Sequence, residues 1–402
     1  MSQKRGCALS HSFERKGDTV HGERVPSVRL PLEDETIRKD LGPLKHLSGT
    51  WEGEGFNLIA RPDFEGNSNL YLQLNQTRET TRFDIISSSI PNRGFGQDDI
   101  DLYGLTYLQK ISERFTGGAL HIEPGVWVTQ PATSYPSESA PPGAHLVFRQ
   151  GSIPHGSSLL AQGIAQHFSG PPTLKIPSAE YAFSEFPSFN STPFLTLPTA
   201  PPILHAAGSA ETLSPAAPPG LTQYDLTVAD SATNPRTPFA TDPPLPPLPA
   251  DINGVPMQDV VNDPITLLQA VIRQQVCDGY RFEGTVLNIA TQANITFFAK
   301  PNSKVGDPTV VVNPTNGAGG IKNILFLEGG DPVGPKGPTA DAALVYATFW
   351  IERVTHPTQP SFMQLQYAQM VILNFQRLTA LPNTVNVGWS HVSIATLRKA
   401  FF

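Results

Sequence analysis

Cysteine is scarce in this sequence: Cys7 and Cys277 are the only two among 402 residues. Neither belongs to a CxxC or CxxCH motif, which excludes a disulfide framework and the covalent attachment of a c-type haem. Charged side chains make up only 16% of the chain, and the net charge of −7 leaves no broad basic surface. We therefore expect no nucleic-acid partner.

Long apolar runs are missing as well. No stretch is long enough to cross a membrane as a helix, and the polar start, Met1–Arg5, does not lead into the apolar segment of a secretion signal. These absences predict a soluble, cytoplasmic protein without a membrane span.

Proline is abundant, with 40 residues, and 22 phenylalanines contribute to an apolar fraction of 39%. That composition is enough for a sizeable core and is typical of an all-β protein with long proline-rich loops. Alternation of apolar and polar residues predicts antiparallel strands. The predicted strands are 70–74, 79–86, 103–111, 118–128, 145–149, 157–166, 282–289, 293–299, 322–327, 343–353, 362–374 and 389–399.

Two shorter segments have a helical pattern. Leu41–Leu47 carries apolar side chains at positions 41, 44 and 47, which indicates a short turn of helix. Asp263-Pro264 supplies an N-cap and a first-turn proline for one short helix that ends at Asp278-Gly279. Its predicted apolar stripe consists of Ile265, Leu268, Val271, Ile272 and Val276.

Histidines are the residues most able to carry chemistry. His391 lies in the last strand among alternating apolar and small residues, so an inward imidazole is either a hydrogen-bonded core group or a metal ligand. His121 and Glu123 fall on one strand face, which fits a simple hydrogen-bonded pair or a proton-holding pair for general acid–base work. His155 is predicted to lie in a turn, where a polar pocket gate is the alternative. No phosphate loop, G-x-S-x-G elbow or HExxH motif accompanies them.

Several blocks, taken in order, resemble the nitrobindin family of haem-binding barrels. Its opening strand is similar to Leu44–Gly55, and its middle strands are similar to Tyr107–Lys110 and Thr116–Trp127. Its last two strands resemble Gln364–Met370 and His391–Lys399. The resemblance implies an all-β fold, an antiparallel nitrobindin/lipocalin-like barrel of roughly ten strands with long insertions.

That resemblance also implies b-type haem with an iron ligand, and it maps the axial ligand to His391. His121 maps to the pocket as a proton relay or hydrogen-bond donor, with Leu120 at the place of the family's pocket methionine. The other cofactor-binding residues that it implies are Phe56, Asn57, Ile59, Gln150 and Met370.

On this basis we expect an arm over residues 1–40, the first part of the barrel over 41–168, a proline-rich wrap over 169–256, and the helix and closing strands over 257–402. The long insertion distinguishes the chain from the family's much shorter members.

The resemblance implies a haem protein that handles nitric oxide, peroxynitrite or a peroxide, with isomerisation of peroxynitrite to nitrate as the family's reaction. The wrap favours a further variant, a peroxidase-like haem enzyme with an organic substrate. A lipocalin-like carrier of an apolar ligand and a metal-free cyclase or isomerase stay open as alternatives. The expected partner is a small molecule, and a homodimer is the assembly left open.

Overall fold

The computed structural model describes residues 34–63, 68–134, 137–174, 203–204, 210–211, 249–291, 295–298, 309–312, 320–323, 340–376 and 386–400. Most of the proline-rich segment and of the N-terminal arm therefore lie outside the described residues. Asp34–Asp40, which lies within the predicted arm, forms a helix, α1, whose Ile37 is buried.

Ten long strands form the body of the fold. They are β1 (Gly49–Asp63), β2 (Ser68–Ile85), β3 (Ile100–Glu113), β4 (Ala119–Gln130), β5 (Ala144–Ile153), β6 (Ser157–Ser169), β7 (Arg281–Ala290), β8 (Ala340–Thr355), β9 (Phe362–Gln376) and β10 (Asn386–Lys399). Short strands accompany them at Ile90–Asn92, Thr133–Ser134, Ser137–Glu138, Ile203–Leu204, Ala210–Glu211, Asp251–Ile252, Val255–Pro256, Ile295–Phe298, Thr309–Val312 and Gly320–Asn323.

Each long strand pairs antiparallel with its neighbours in the sequence, from β1 to β10. Among these, β6 pairs with β7 across the long insertion, with Leu287 opposite Ala165. One further pairing closes the ring: β10 with β1, where Leu397 is opposite Gly53. The result is a closed antiparallel barrel of ten strands, which confirms the predicted fold class. Closure leaves none of these strands with a long unpaired edge.

One end of the barrel is plugged by the 3₁₀ helix Gly42–His46. Leu41, Leu44 and Leu47 are fully buried there, as their spacing predicts, and they belong to the same core cluster as Trp51. The Trp51 indole donates to the carbonyl of Leu47 at 2.6 Å, which ties the plug to β1. The inner core above the plug consists of side chains from most of the strands, among them Phe83, Leu105, Trp127, Val147, Leu287 and Phe349.

A second core lies on the outer face of the barrel. Helices α2 (Met257–Asn262) and α3 (Ile265–Cys277) pack there against side chains that point away from the inner core. The strand residues of this outer core include Phe56, Trp350, Met370 and Ile394. The predicted helix is confirmed as α3, while α2 was not expected.

The pattern of α3 differs from the prediction at its last turn. Val276 is exposed, and Gln275 is buried instead because its amide donates to Gln364 at 2.7 Å. Two other predicted strands, 70–74 and 79–86, are a single strand, β2. Within the described residues, no helix has the length and apolar character needed to span a membrane.

Candidate functional site

Polar side chains cross the inside of the barrel in one layer. We use "polar layer" for seven inward-facing residues of β2, β3, β4, β5 and β9: Glu79, Tyr107, Gln109, Glu123, Arg149, Tyr367 and Gln369. Arg149 donates to Gln369 at 2.8 Å, and Tyr367 donates to Glu79 at 2.6 Å. Both bonds join strands that do not pair with each other, so the layer spans the interior and separates the plugged half from the other half.

Glu123 is the anionic centre of this layer. Its side chain is fully buried, and it accepts hydrogen bonds from Tyr107 and, at 2.7 Å, from Arg149. Burial acts to raise the pKa of Glu123, but the charge of Arg149 and the bonds from His121 and Tyr107 outweigh it and lower the pKa to about 2. Glu123 and Arg149 therefore form a neutral, buried ion pair at physiological pH.

Glu79 has the opposite character. Burial raises its pKa, although hydrogen bonds from Tyr367, Gln109 and Thr81 act to lower it. No cation bonds to this carboxyl among the described residues, in contrast to Glu123. The layer thus holds one carboxyl that is kept ionised and one that is pushed toward its protonated form.

Two glycines make room for the ion pair. Gly125 and Gly151 lie opposite each other on β4 and β5, and a Cβ at either would overlap the polar layer or the neighbouring strand. At Gly151 the added atom would meet the Glu123 carboxylate and the Tyr107 hydroxyl. The absence of a side chain is therefore a packing requirement at this position.

Gly151→Ala is expected to destabilise the protein by about 1–3 kcal/mol, because the added methyl must displace a buried charged group. Gly94→Ala is the matched control, since the nearest atom to its Cβ would be 3.7 Å away. Thermal unfolding of the two variants measures the difference. Equal melting temperatures would show that Glu123 can move aside without cost.

Beyond the polar layer, on the side away from the plug, lies what we call the upper interior. It consists of the inward-facing residues Asn57, Ile59, Asn75, Val371, His391 and Ser393. His391 lies directly opposite Ile59 on β1 and Val371 on β9, and all three are half-buried. Its Nε2 atom is shielded from solvent. The final strand thus presents an imidazole between two apolar neighbours.

His121 connects the polar layer to the surface. Its Nε2 lies 3.2 Å from the Glu123 carboxylate, so the pair expected from the sequence spacing forms. The exposed ring of His155, in the turn between β5 and β6, lies 6.4 Å from the ring of His121. The two histidines lie between solvent and the buried ion pair.

Three of the predicted pocket residues are not on the same face as His391. Phe56 and Met370 are buried in the outer core, against the helices, because strand alternation turns them away from the interior. Leu120 is half-buried and is the unpaired residue of a bulge in β4, where strand alternation is interrupted. Gln150 is exposed and lines an outer groove of about 650 Å³. Asn57, Ile59 and His121 do face the interior, as His391 does.

The polar layer was missed from the sequence, apart from Glu123. Tyr107 and Gln109 lie in one of the blocks quoted for the family resemblance, but their inward direction is visible only from the strand register. The residues next to Arg149 in the sequence do not indicate that it is buried, because its partners Glu123 and Gln369 are 26 and 220 residues away. Asn75 was likewise not singled out.

No family model matches this chain, and no curated protein matches its sequence. Among solved structures, the chain is similar to the crystal structure of Rv2717c from M. tuberculosis. The match covers 91% of this chain and 98% of that chain, with 9% identity and a TM-score of 0.28. A likeness of that size says nothing about what this chain binds.

In the part of the chain that the structure describes, no group of three or more His, Cys, Asp or Glu side chains is arranged to hold a metal ion. A cofactor with its own metal needs only one protein ligand. His391 is the inward-facing histidine of the upper interior that could supply it.

Proposed function

We propose that this barrel binds a small molecule in its upper interior, and that the ligand is b-type haem held through His391. The observation that carries the proposal is the placement of His391: inward on β10, with a shielded Nε2, between Ile59 and Val371. A neutral imidazole nitrogen in apolar surroundings is the usual axial donor to haem iron.

The neighbouring residues fit part of this role. Ile59 and Val371 offer an apolar wall on each side of His391, and they would help to exclude water. Phe56, Met370 and Gln150 do not face the interior, so the pocket we propose does without them. When bound, haem iron supplies a coordination position for a small ligand such as nitric oxide, peroxynitrite or a peroxide.

His121 has a defined role in this proposal. The Glu123 carboxylate, which Arg149 keeps ionised, lies 3.2 Å from the Nε2 atom of His121. This contact fixes the orientation of the imidazole ring. His121 is thereby fixed beside the upper interior, with the exposed His155 next to it. We assign His121 the exchange of protons between solvent and the bound ligand.

The polar layer argues against a carrier that binds an ionised carboxylate. Arg149 is the buried cation of the described interior, and its charge is neutralised by Glu123 at 2.7 Å. An anionic ligand head would have to compete with that pair at a high desolvation cost. A carrier of an uncharged apolar molecule is the alternative that the test below separates.

Titration of the full-length protein with hemin tests the proposal. We expect a Soret band at about 400 nm that saturates at one hemin per chain, as for histidine-ligated haem. His391→Gly is expected to weaken hemin binding at least about tenfold, since the iron loses its donor. Added imidazole should restore the band in this variant.

His167→Ala serves as the matched control, because His167 is exposed near the plugged end of β6. Its hemin titration should equal that of the unchanged protein. Hemin binding that survives His391→Gly undiminished would reject His391 as the ligand. Absence of a Soret band in the unchanged protein would reject haem and leave the carrier of an apolar molecule.

A further inference from the structure

A row of short polar side chains crosses the strands of the upper interior. Asn75 on β2 lies directly opposite Asn57 on β1, and Asn57 lies directly opposite Ser393 on β10. Asn57 donates to the Ser393 hydroxyl at 2.8 Å, and Asn75 accepts from Gln73 at 3.3 Å. One of the two polar side-chain atoms of each asparagine, Asn57 Nδ2 and Asn75 Oδ1, is therefore hydrogen-bonded within the protein.

The other polar atom of each amide is buried and has no partner among the described residues. Asn57 Oδ1, an acceptor, and Asn75 Nδ2, a donor, are shielded from solvent and make no hydrogen bond with any residue that the structure describes. Asn75 as a whole is only 8% exposed. Leaving a buried donor or acceptor unmet is costly, so a bound molecule that meets both is favoured strongly.

The two atoms come from directly opposed residues, whose Cβ atoms are about 5 Å apart in an antiparallel pair. A group that bonds to both must therefore present a donor and an acceptor side by side. A primary amide, a lactam (whose amide is cis) and an un-ionised carboxyl group have this pattern. A ketone lacks the donor, an ammonium lacks the acceptor, and an ionised carboxylate would repel Asn57 Oδ1.

We propose that Asn57 and Asn75 form a recognition site for a primary amide, lactam or un-ionised carboxyl group of the ligand. The inference rests on the part of the proposed function that places a ligand in the upper interior, and it does not require haem. In a pocket with apolar walls, the two asparagine amides would select which polar group of a ligand enters and how that group is oriented.

Nuclear magnetic resonance of the haem-free, full-length protein with ¹⁵N-labelled asparagine tests this site. The probes are δ-valerolactam, which has donor and acceptor, and N-methyl-δ-valerolactam, which lacks the donor. We expect the lactam to shift the side-chain amide signal of Asn75, and to bind about tenfold more tightly than its methylated form, the value of one hydrogen bond.

Two variants localise the effect. Asn57→Leu removes the acceptor and is expected to abolish the tenfold preference for the unmethylated lactam. Asn92→Leu, at an exposed position of the short strand Ile90–Asn92, should leave the preference intact. The comparison of the two probes on the unchanged protein stands even where a variant fails to fold.

Equal affinity for both lactams, or no shift of the Asn75 signal with either, would overturn the inference and leave an ordered water as the partner of the pair. A preference that persists in Asn57→Leu would overturn it as well. These outcomes are separate from those of the hemin titration. Hemin binding without a lactam preference would leave the haem proposal standing, and the reverse result would identify a carrier.

Discussion

Replacing Glu352 by glutamine is expected to stabilise the protein by about 4–5 kcal/mol at about pH 9 and to change little at about pH 5. Glu352 lies on the outer face of β8, fully buried beneath α3, where Gln364 donates to its Oε2 while its Oε1 has no partner in the part of the chain that the structure describes. Burial raises its pKa to about 8, against a smaller opposing effect of the bond from Gln364.

The direction of the pH dependence follows from that raised pKa. The unfolded chain releases this proton at about pH 4.5, whereas the folded chain holds it until about pH 8. Stability is therefore unaffected below the lower value, falls as the pH rises between the two, and stays reduced above. Glutamine has the shape of the protonated acid and no proton to lose, so it removes the dependence.

Urea unfolding of both proteins at each pH measures the effect as a shift of the transition midpoint. Glu283→Gln is the control, because Glu283 is exposed at the start of β7 and its replacement should have the same small effect at both pH values. A Glu352→Gln midpoint that shifts equally at low and high pH would mean that the buried carboxyl is ionised in the fold or protonated throughout.

Strand alternation predicts the barrel but not the direction of its closing strands. On β8, β9 and β10 one face packs on the inner core, and the other packs under α2 and α3. Both faces are therefore buried, and an apolar residue such as Met370 fits either one. Its outward position is decided by register with residues whose direction is unambiguous, Tyr367 and Leu397 inside and Ile394 outside.

Buried polar residues are the features that the sequence conceals best. Glu79, Arg149 and Glu352 are residue types typical of the surface, but each is buried here and is satisfied, in whole or in part, by a partner on another strand. Such partners lie up to 288 residues away, as Tyr367 does from Glu79, so no local sequence pattern predicts them. His121 and Glu123 could be paired in advance only because they are two residues apart on one strand.

The plug and α3 were predictable for the opposite reason. Leu41, Leu44 and Leu47 are apolar at helical spacing within a polar segment, so one burial pattern accounts for all three. In α3, Asp263 accepts from the backbone of Ile265 at 3.0 Å, which is the local capping bond that its sequence position indicates. Both are short-range features, and short-range features can be deduced from the residues alone.

Replacing Arg149 by methionine is expected to destabilise the protein by about 3–5 kcal/mol at neutral pH, because it leaves the Glu123 carboxylate buried without its counter-charge. Arg82→Met is the matched control. Arg82 forms its ion pair with Asp84 at the surface, where both side chains are more than half exposed, so we expect almost no change in stability. Chemical unfolding of the two variants gives the comparison.

The pH dependence makes this prediction sharper. In the unchanged protein the pKa of Glu123 is lowered to about 2, so its stabilising effect is complete above the unfolded value near 4.5 and is lost as the pH falls toward 2. Without Arg149, burial dominates and Glu123 binds a proton more readily than in the unfolded chain. The deficit of the variant should therefore be large at about pH 7 and should shrink markedly at about pH 3.

A second substitution decides whether the cost is that of an orphaned charge. Glu123→Gln added to Arg149→Met keeps the side-chain length and the bonds to Tyr107 and His121 but removes the charge. If the ion pair is what matters, the double variant should recover about half or more of the lost stability at neutral pH. A double variant as unstable as Arg149→Met would instead assign the role of Arg149 to its packing among the rings of Tyr107, Trp127 and Phe349.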